Sequence, residues 1–161
     1  MGKLIALLLV LGAGFGVYWT QFHKSPAYQA YLQWVDATVK GDCATLTKLA
    51  DGKASEWVTS FCTPAGGITV FGLSTASGKS AADMVQELRA SPQGYPSLRH
   101  KLMDETETAD GQVTLVVMEY ILSRPSNFSK PAPDHRHEVT LKLNPETSAW
   151  KILEFKDQEQ P

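Results

Sequence analysis

Gln112 to Ser123 (QVTLVVMEYILS) is the stretch that most restricts the fold. Val113, Leu115, Val117 and Ile121 fall on one side of an extended chain, and Val116, Met118, Tyr120 and Leu122 on the other. An extended segment apolar on both sides predicts a central strand, covered at least in part on both faces. Such a strand needs neighbours. Upstream, Leu98, His100, Leu102, Asp104 and Thr106 alternate with Arg99, Lys101, Met103, Glu105 and Glu107, a period of two that predicts a strand. Ala109-Asp110-Gly111 joins the two, because Asp-Gly accepts the positive φ of a tight turn. Downstream, 124–133 holds three prolines and cannot extend the ladder. A third strand follows over His137 to Leu143, with Val139, Leu141 and Leu143 inward and Glu138, Thr140 and Lys142 outward. Asn144-Pro145-Glu146 turns the chain, and Trp150 to Phe155 forms the last strand. From Asp157 onward the chain reads as a polar tail without pattern. Pro96 to Phe155 is therefore expected to be an antiparallel meander.

The residues before it read as helices. Ser25-Pro26 suits a helix start, since Ser caps and Pro fits the first turn. Tyr28, Tyr31, Leu32, Val35 and Val39 form one apolar stripe, and Gly41 ends it. Asp42 caps a second helix that buries Leu46 and Leu49, and Trp57, Val58 and Phe61 form the stripe of a third. Pro64 to Ser80 is rich in Gly, Ser and Thr, with a short apolar piece from Ile68 to Leu73. A fourth helix, Ser80 to Ala90, turns Ala81, Met84, Val85 and Leu88 to one side.

Leu4 to Phe22 (LIALLLVLGAGFGVYWTQF) carries no charge. As a helix it would span about 28 Å, close to the roughly 30 Å hydrocarbon core of a bilayer. Tyr18 and Trp19 near its far end suit the membrane–water interface. A single-pass anchor is expected, with a cleaved signal peptide built on Leu4 to Leu11 as the alternative. Either leaves the body of the protein exported: beyond the inner membrane of a bacterial-type cell, in the periplasm or outside. Gly12 and Gly16 make one Gly-xxx-Gly pair, through which two membrane helices can approach as a homodimer; small residues are also simply common in such segments. The expected division is 1–24 as anchor or signal, 25–157 as one α+β domain, and 158–161 as tail. Net charge is −2, which argues against a nucleic-acid binder.

The two cysteines, Cys43 and Cys62, are expected to pair, as an even count in an exported domain suggests. Cys43 opens one short helix and Cys62 closes the next, with Asp51-Gly52 turning between, so antiparallel packing brings them together. Closing that loop would stabilise the fold by about 3 kcal/mol. No metal site involving them is expected.

Candidate chemistry is sparse. Gly78-Lys79-Ser80 imitates the end of a phosphate loop, but Gly72 stands one residue too far upstream, so no nucleotide site is expected and Ser80 reads as a helix cap. His135 and His137 would share a strand face and are weak candidate metal ligands, with no third ligand placed. His100, Asp104 and Glu119 are weak candidate acid–base residues. Period two puts His100 and Asp104 on one face, which fits either an interior polar site or a strand end leaving the core. Glu119, alone in an apolar strand, needs a partner if buried; Arg99, Lys101 and Lys142 are the expected cations.

A helix ending in Lys40-Gly41-Asp42, then Leu46 and Leu49, then a meander whose last strand opens with Trp150-Lys151-Ile152, resembles the nuclear transport factor 2-like superfamily over about residues 26–156. The resemblance implies an α+β cone: a strongly bent antiparallel sheet holding helices in its hollow. That superfamily includes ketosteroid isomerase-like and scytalone dehydratase-like enzymes, non-catalytic members, and periplasmic domains of membrane-anchored secretion-system assembly proteins. None of its catalytic residues can be matched to a position here. The expectation is a membrane-tethered binding or assembly domain without catalytic activity or cofactor, whose partner is another protein or a small apolar ligand. The alternatives are a cofactor-independent isomerase or hydrolyase working in the cone pocket, and a secretion-apparatus assembly component.

Overall fold

The computed structural model describes residues 24–64, 69–70, 73–74, 78–91, 94, 97–122 and 134–159. Among them, no helix is long and apolar enough to cross a membrane. The expected anchor, with its Gly12/Gly16 pair, and the proline-rich stretch 123–133 lie outside the described residues.

Three helices come first: α1 (Pro26–Lys40), α2 (Cys43–Leu49) and α3 (Gly52–Cys62). A two-stranded antiparallel ribbon, β1 (Thr69–Val70) with β2 (Leu73–Ser74), leads to α4 (Ala81–Ala90). The main sheet follows as β3 (Leu98–Glu107), β4 (Gln112–Ile121), β5 (His135–Asn144) and β6 (Ala149–Glu159). Its spatial order equals its chain order and every pairing is antiparallel, so it is a four-stranded meander. The chain is thus α+β, with helices and sheet in separate stretches.

Local chemistry sets the helix ends as the residue types predict. The Ser25 hydroxyl accepts from Tyr28 N–H, the Asp42 carboxylate from Thr45 N–H, and Ser80 with Asp83 closes a reciprocal capping box. Gly41 ends α1 at φ +63°, and a Cβ there would stand 2.6 Å from the Ala82 carbonyl oxygen. The turn therefore needs glycine twice over, for its backbone angle and for the close approach of α4. Cys43 and Cys62 form the expected disulfide, with Cα atoms 5.9 Å apart.

One face of the sheet carries the core. Leu115, Val117, Val139, Leu141 and Ile152 are fully buried and meet Tyr31 and Trp34 of α1, Leu46 of α2 and Phe61 of α3. The packed stripe of α1 is rotated from its expected position. Ala27, Ala30, Trp34 and Ala37 are buried with the two tyrosines, whereas Leu32, Val35 and Val39 remain half-exposed. Alanines let α1 lie close to its neighbours, and Trp34 fills the space they leave.

The second face of β4 is partly covered, as its composition predicts: Val116, Met118 and Tyr120 are half-buried and form a one-strand apolar strip flanked by Arg99, Lys101, Asp104, Arg136 and Glu138. Three expectations need correction. Leu143 does not point into the core; it is 41% exposed, past the end of the helical cover. The stretch from Asp157 is no tail as far as Glu159, because Asp157, Gln158 and Glu159 pair with β5 through His137, Arg136 and His135. Finally, β3 does not keep period two. Its pairing slips between Leu102 and Asp104, so Leu102 faces Val117 while Asp104 faces Val116. A bulge of this kind reverses the facing of everything beyond it.

Candidate functional site

The register of the sheet gathers polar side chains onto the core face at one end. His100 of β3 stands opposite Glu119 of β4, which stands opposite His135 of β5. On the adjacent rung, Leu102, Val117, His137 and Asp157 line up across the four strands. Residues directly opposite share a face. Since Val117 and Glu119 are buried, His100, His135, His137 and Asp157 all belong to the side covered by helices.

The bulge removes Asp104 from this group. It lies on the outer face, exposed, with Thr106 Oγ1 donating to its carboxylate at 3.2 Å. The partner of Glu119 is also not one of the expected cations. Arg99 lies over the Tyr120 ring on the outer face, and Lys101 and Lys142 are exposed. His100 takes that place, its Nε2 2.7 Å from Glu119 Oε2, with the two side chains 6% and 3% exposed.

Burial by itself raises the Glu119 pKa, but the His100 hydrogen bond and the nearby imidazoles of His137, His100 and His135 outweigh it and hold the carboxyl below its ordinary value. Glu119 is therefore ionised at neutral pH and accepts. His100 Nε2 therefore carries a hydrogen and donates it to Glu119. Tyr28 reinforces the strand here, donating its hydroxyl to the His100 carbonyl at 3.3 Å.

Tyr31, fully buried on α1, sets its hydroxyl 2.7 Å from His137 Nδ1. Burial, with the fields of Glu119, Tyr28 and Asp157, pushes its phenol well above the usual tyrosine value, so it keeps its proton. Burial likewise pushes the His137 imidazole below its usual value, against the pull of Glu119 and Asp157 and with the help of His100 and His135. The other nitrogen of His137, Nε2, is 3.5 Å from Asp157 Oδ1, and His135 Nδ1 is 2.9 Å from that same oxygen. Phe155 closes the side of the His137 ring at a centroid distance of 4.9 Å.

His100 also lines a cleft of about 400 Å³ between α1, α4 and the start of β3. Leu32, Val35, Val39 and Leu98 give it apolar walls, and Asp36 and Arg89 add a charge of each sign. Asp36 accepts from Lys40 at 2.6 Å, and Arg89 donates to the Val39 carbonyl at 3.1 Å, so both are held in place. Gly78-Lys79-Ser80 serves local structure: Ser80 caps α4 and Lys79 pairs with Glu87.

Two members of the site, Tyr31 and Asp157, carried no candidate role in the sequence. Asp157 reaches this face because the last strand continues past Phe155 and because its pairing with β5 slips between Thr140 and Leu141, which shifts its phase beyond Ile152. Tyr31 sat in an apolar stripe and gave no polar signal. No protein-family profile matches the chain, and no curated protein matches it. A similar solved structure is a chain from Thiobacillus denitrificans assigned as a calcium/calmodulin-dependent protein kinase type II association domain. It is 12% identical, with a TM-score of 0.47, over 82% of this chain and 93% of the other.

Proposed function

We propose that this chain is a membrane-tethered, exported ligand-binding domain of the nuclear transport factor 2-like type, which takes a small, largely apolar molecule into the cleft between α1, α4 and β3. The observation that carries it is the lining of that cleft. Leu32, Val35, Val39 and Leu98 line about 400 Å³ together with four polar residues, Asp36, Arg89, Ser97 and His100, a volume within the range of small-molecule sites. Helices placed ahead of a bulged antiparallel meander support the superfamily assignment. The disulfide supports export, since such bonds persist in oxidising compartments, and the uncharged run Leu4 to Phe22 supports the tether. Assembly through the sheet is less well supported, because charged residues flank the apolar strip on its outer face.

Photolabelling tests the cleft. A medium-chain aliphatic diazirine, applied to the full chain in membranes, should mark peptides around Leu32–Val39 and Ser97–His100. Val35→Trp, which fills the cleft, should weaken saturable labelling at least about tenfold. Labelling spread over the outer sheet face, or untouched by Val35→Trp, would overturn the proposal.

The buried His100–Glu119 pair favours a second function, cofactor-independent proton transfer in the same cleft, with His100 as base oriented by Glu119. Under that alternative the full chain would wash α-deuterium out of a simple ketone, and His100→Ala would not. Washout absent from the parent chain leaves binding as the function.

A further inference from the structure

His137 Nε2 makes no hydrogen bond among the described residues, although its side chain is only 7% exposed. A buried ring nitrogen whose nearest polar atom among the described residues stands 3.5 Å away is poorly satisfied and calls for an explanation. Three ligand-type atoms converge there. Asp157 Oδ1 is 3.5 Å from His137 Nε2 and 2.9 Å from His135 Nδ1, and the three residues offer atoms all within 4.8 Å of one another. Three ligands about 2.0–2.1 Å from a tetrahedral zinc ion stand roughly 3.3 Å apart, and the two distances to Asp157 lie on either side of that spacing.

From this convergence we infer that His135, His137 and Asp157 form a binding site for a divalent first-row transition ion of the Zn²⁺ class, with water completing the coordination. Two imidazoles and one carboxylate are the donor set such ions accept. The supporting shell is in place. Tyr31 stands 2.7 Å from His137 Nδ1, so a metal on Nε2 would fix the tautomer in which Nδ1–H donates to the phenol oxygen. Phe155 limits rotation of the ring. Access is open on one side, where His135 and Asp157 are 24% and 46% exposed. The neighbouring trio of His100, Glu119 and His137 is the weaker site because it is closed to an entering ion, with the His100 and Glu119 side chains only 6% and 3% exposed.

The inference is independent of the cleft, and its test reads metal directly. Chelator-treated full chain is titrated with Zn²⁺ by calorimetry and with Co²⁺ by visible absorption. One equivalent should bind, with a Co²⁺ spectrum of four- or five-coordinate nitrogen–oxygen ligation. His135→Ala and Asp157→Asn should each weaken binding at least about 100-fold, and Tyr31→Phe by about 10–100-fold. His100→Gln, which keeps an N–H donor for the buried Glu119 but no imidazole, should leave the affinity within about threefold of the parent, well inside the span a lost ligand produces. No stoichiometric binding overturns the inference. So does binding that survives His135→Ala, or that is lost in a His100→Gln chain that keeps the parent's circular dichroism, which would move the ion to the inner trio or elsewhere.

Discussion

Glu119 occupies the kind of place that carboxylates avoid, the covered face of a central strand, 2% exposed. Its ionised form persists because an imidazole stands directly across the ladder and three histidines in all share its surroundings, with Tyr31 and Asp157 nearby. The direction of its shift sets a pH dependence. A carboxyl held below its ordinary 4.5 in the folded state gives stability that is complete above that value. It is lost as pH falls through 4.5 and on toward the folded value, because the unfolded chain takes up the proton first. Glu119→Gln keeps an acceptor for His100 but no longer titrates. Urea midpoints measured between about pH 6 and pH 3, with chelator present, should therefore fall less steeply for Glu119→Gln than for the parent. Parallel curves would show that the pair adds nothing to acid stability. The inward phase of Glu119 was legible in the sequence, since it follows Val113, Leu115 and Val117 at even spacing. Its partner was not, because pairing register decides which residue stands opposite, and no residue of β3 announces the bulge.

At the scale of elements, capping and turn residues carried the most information. Ser25, Asp42, Gly41 and the Asp-Gly turn lie where their local chemistry requires. The extent of elements was harder to read. Polar side chains ended the predicted β6 near Phe155, yet backbone pairing continues while β5 offers a partner. The rotation of α1 was missed for a related reason. Alanine adds little to an apolar stripe in sequence, but it lets a helix approach closely in the structure, and the bulkier Leu32, Val35 and Val39 were left for the cleft wall. The disulfide ties α2 to α3 across a sequence separation of 19. Reduction, or Cys43→Ser with Cys62→Ser, should lower unfolding free energy by about 3 kcal/mol on the chain-entropy account. Chemical denaturation with and without reductant measures this. An unchanged midpoint would mean that packing of Leu46 and Phe61 already holds the helices together.

For the molecule as a whole, separation of the four helices from the main sheet was visible in periodicity alone, and so was the class of fold, whereas the short β1–β2 ribbon between α3 and α4 was not. Where the domain resides depends on Leu4 to Phe22. If that segment is an uncleaved anchor, the chain should stay with membranes through alkaline carbonate extraction, and its mass should include Met1. Release into the supernatant with an intact N-terminus would remove the tether. Release with a shortened N-terminus would select the cleaved signal peptide. The site has a whole-molecule logic as well: no strand holds more than two of its polar residues, and the phenol comes from a helix, so it exists only when the register of all four strands is correct.

The slip in β3 between Leu102 and Asp104 gives the two ends of that strand different freedoms. A residue gained or lost before the slip would pull His100 away from Glu119. Changes beyond it would only rewrite a solvent-facing tip. One surplus residue thus insulates a fixed interior from an edge that can drift in both length and charge.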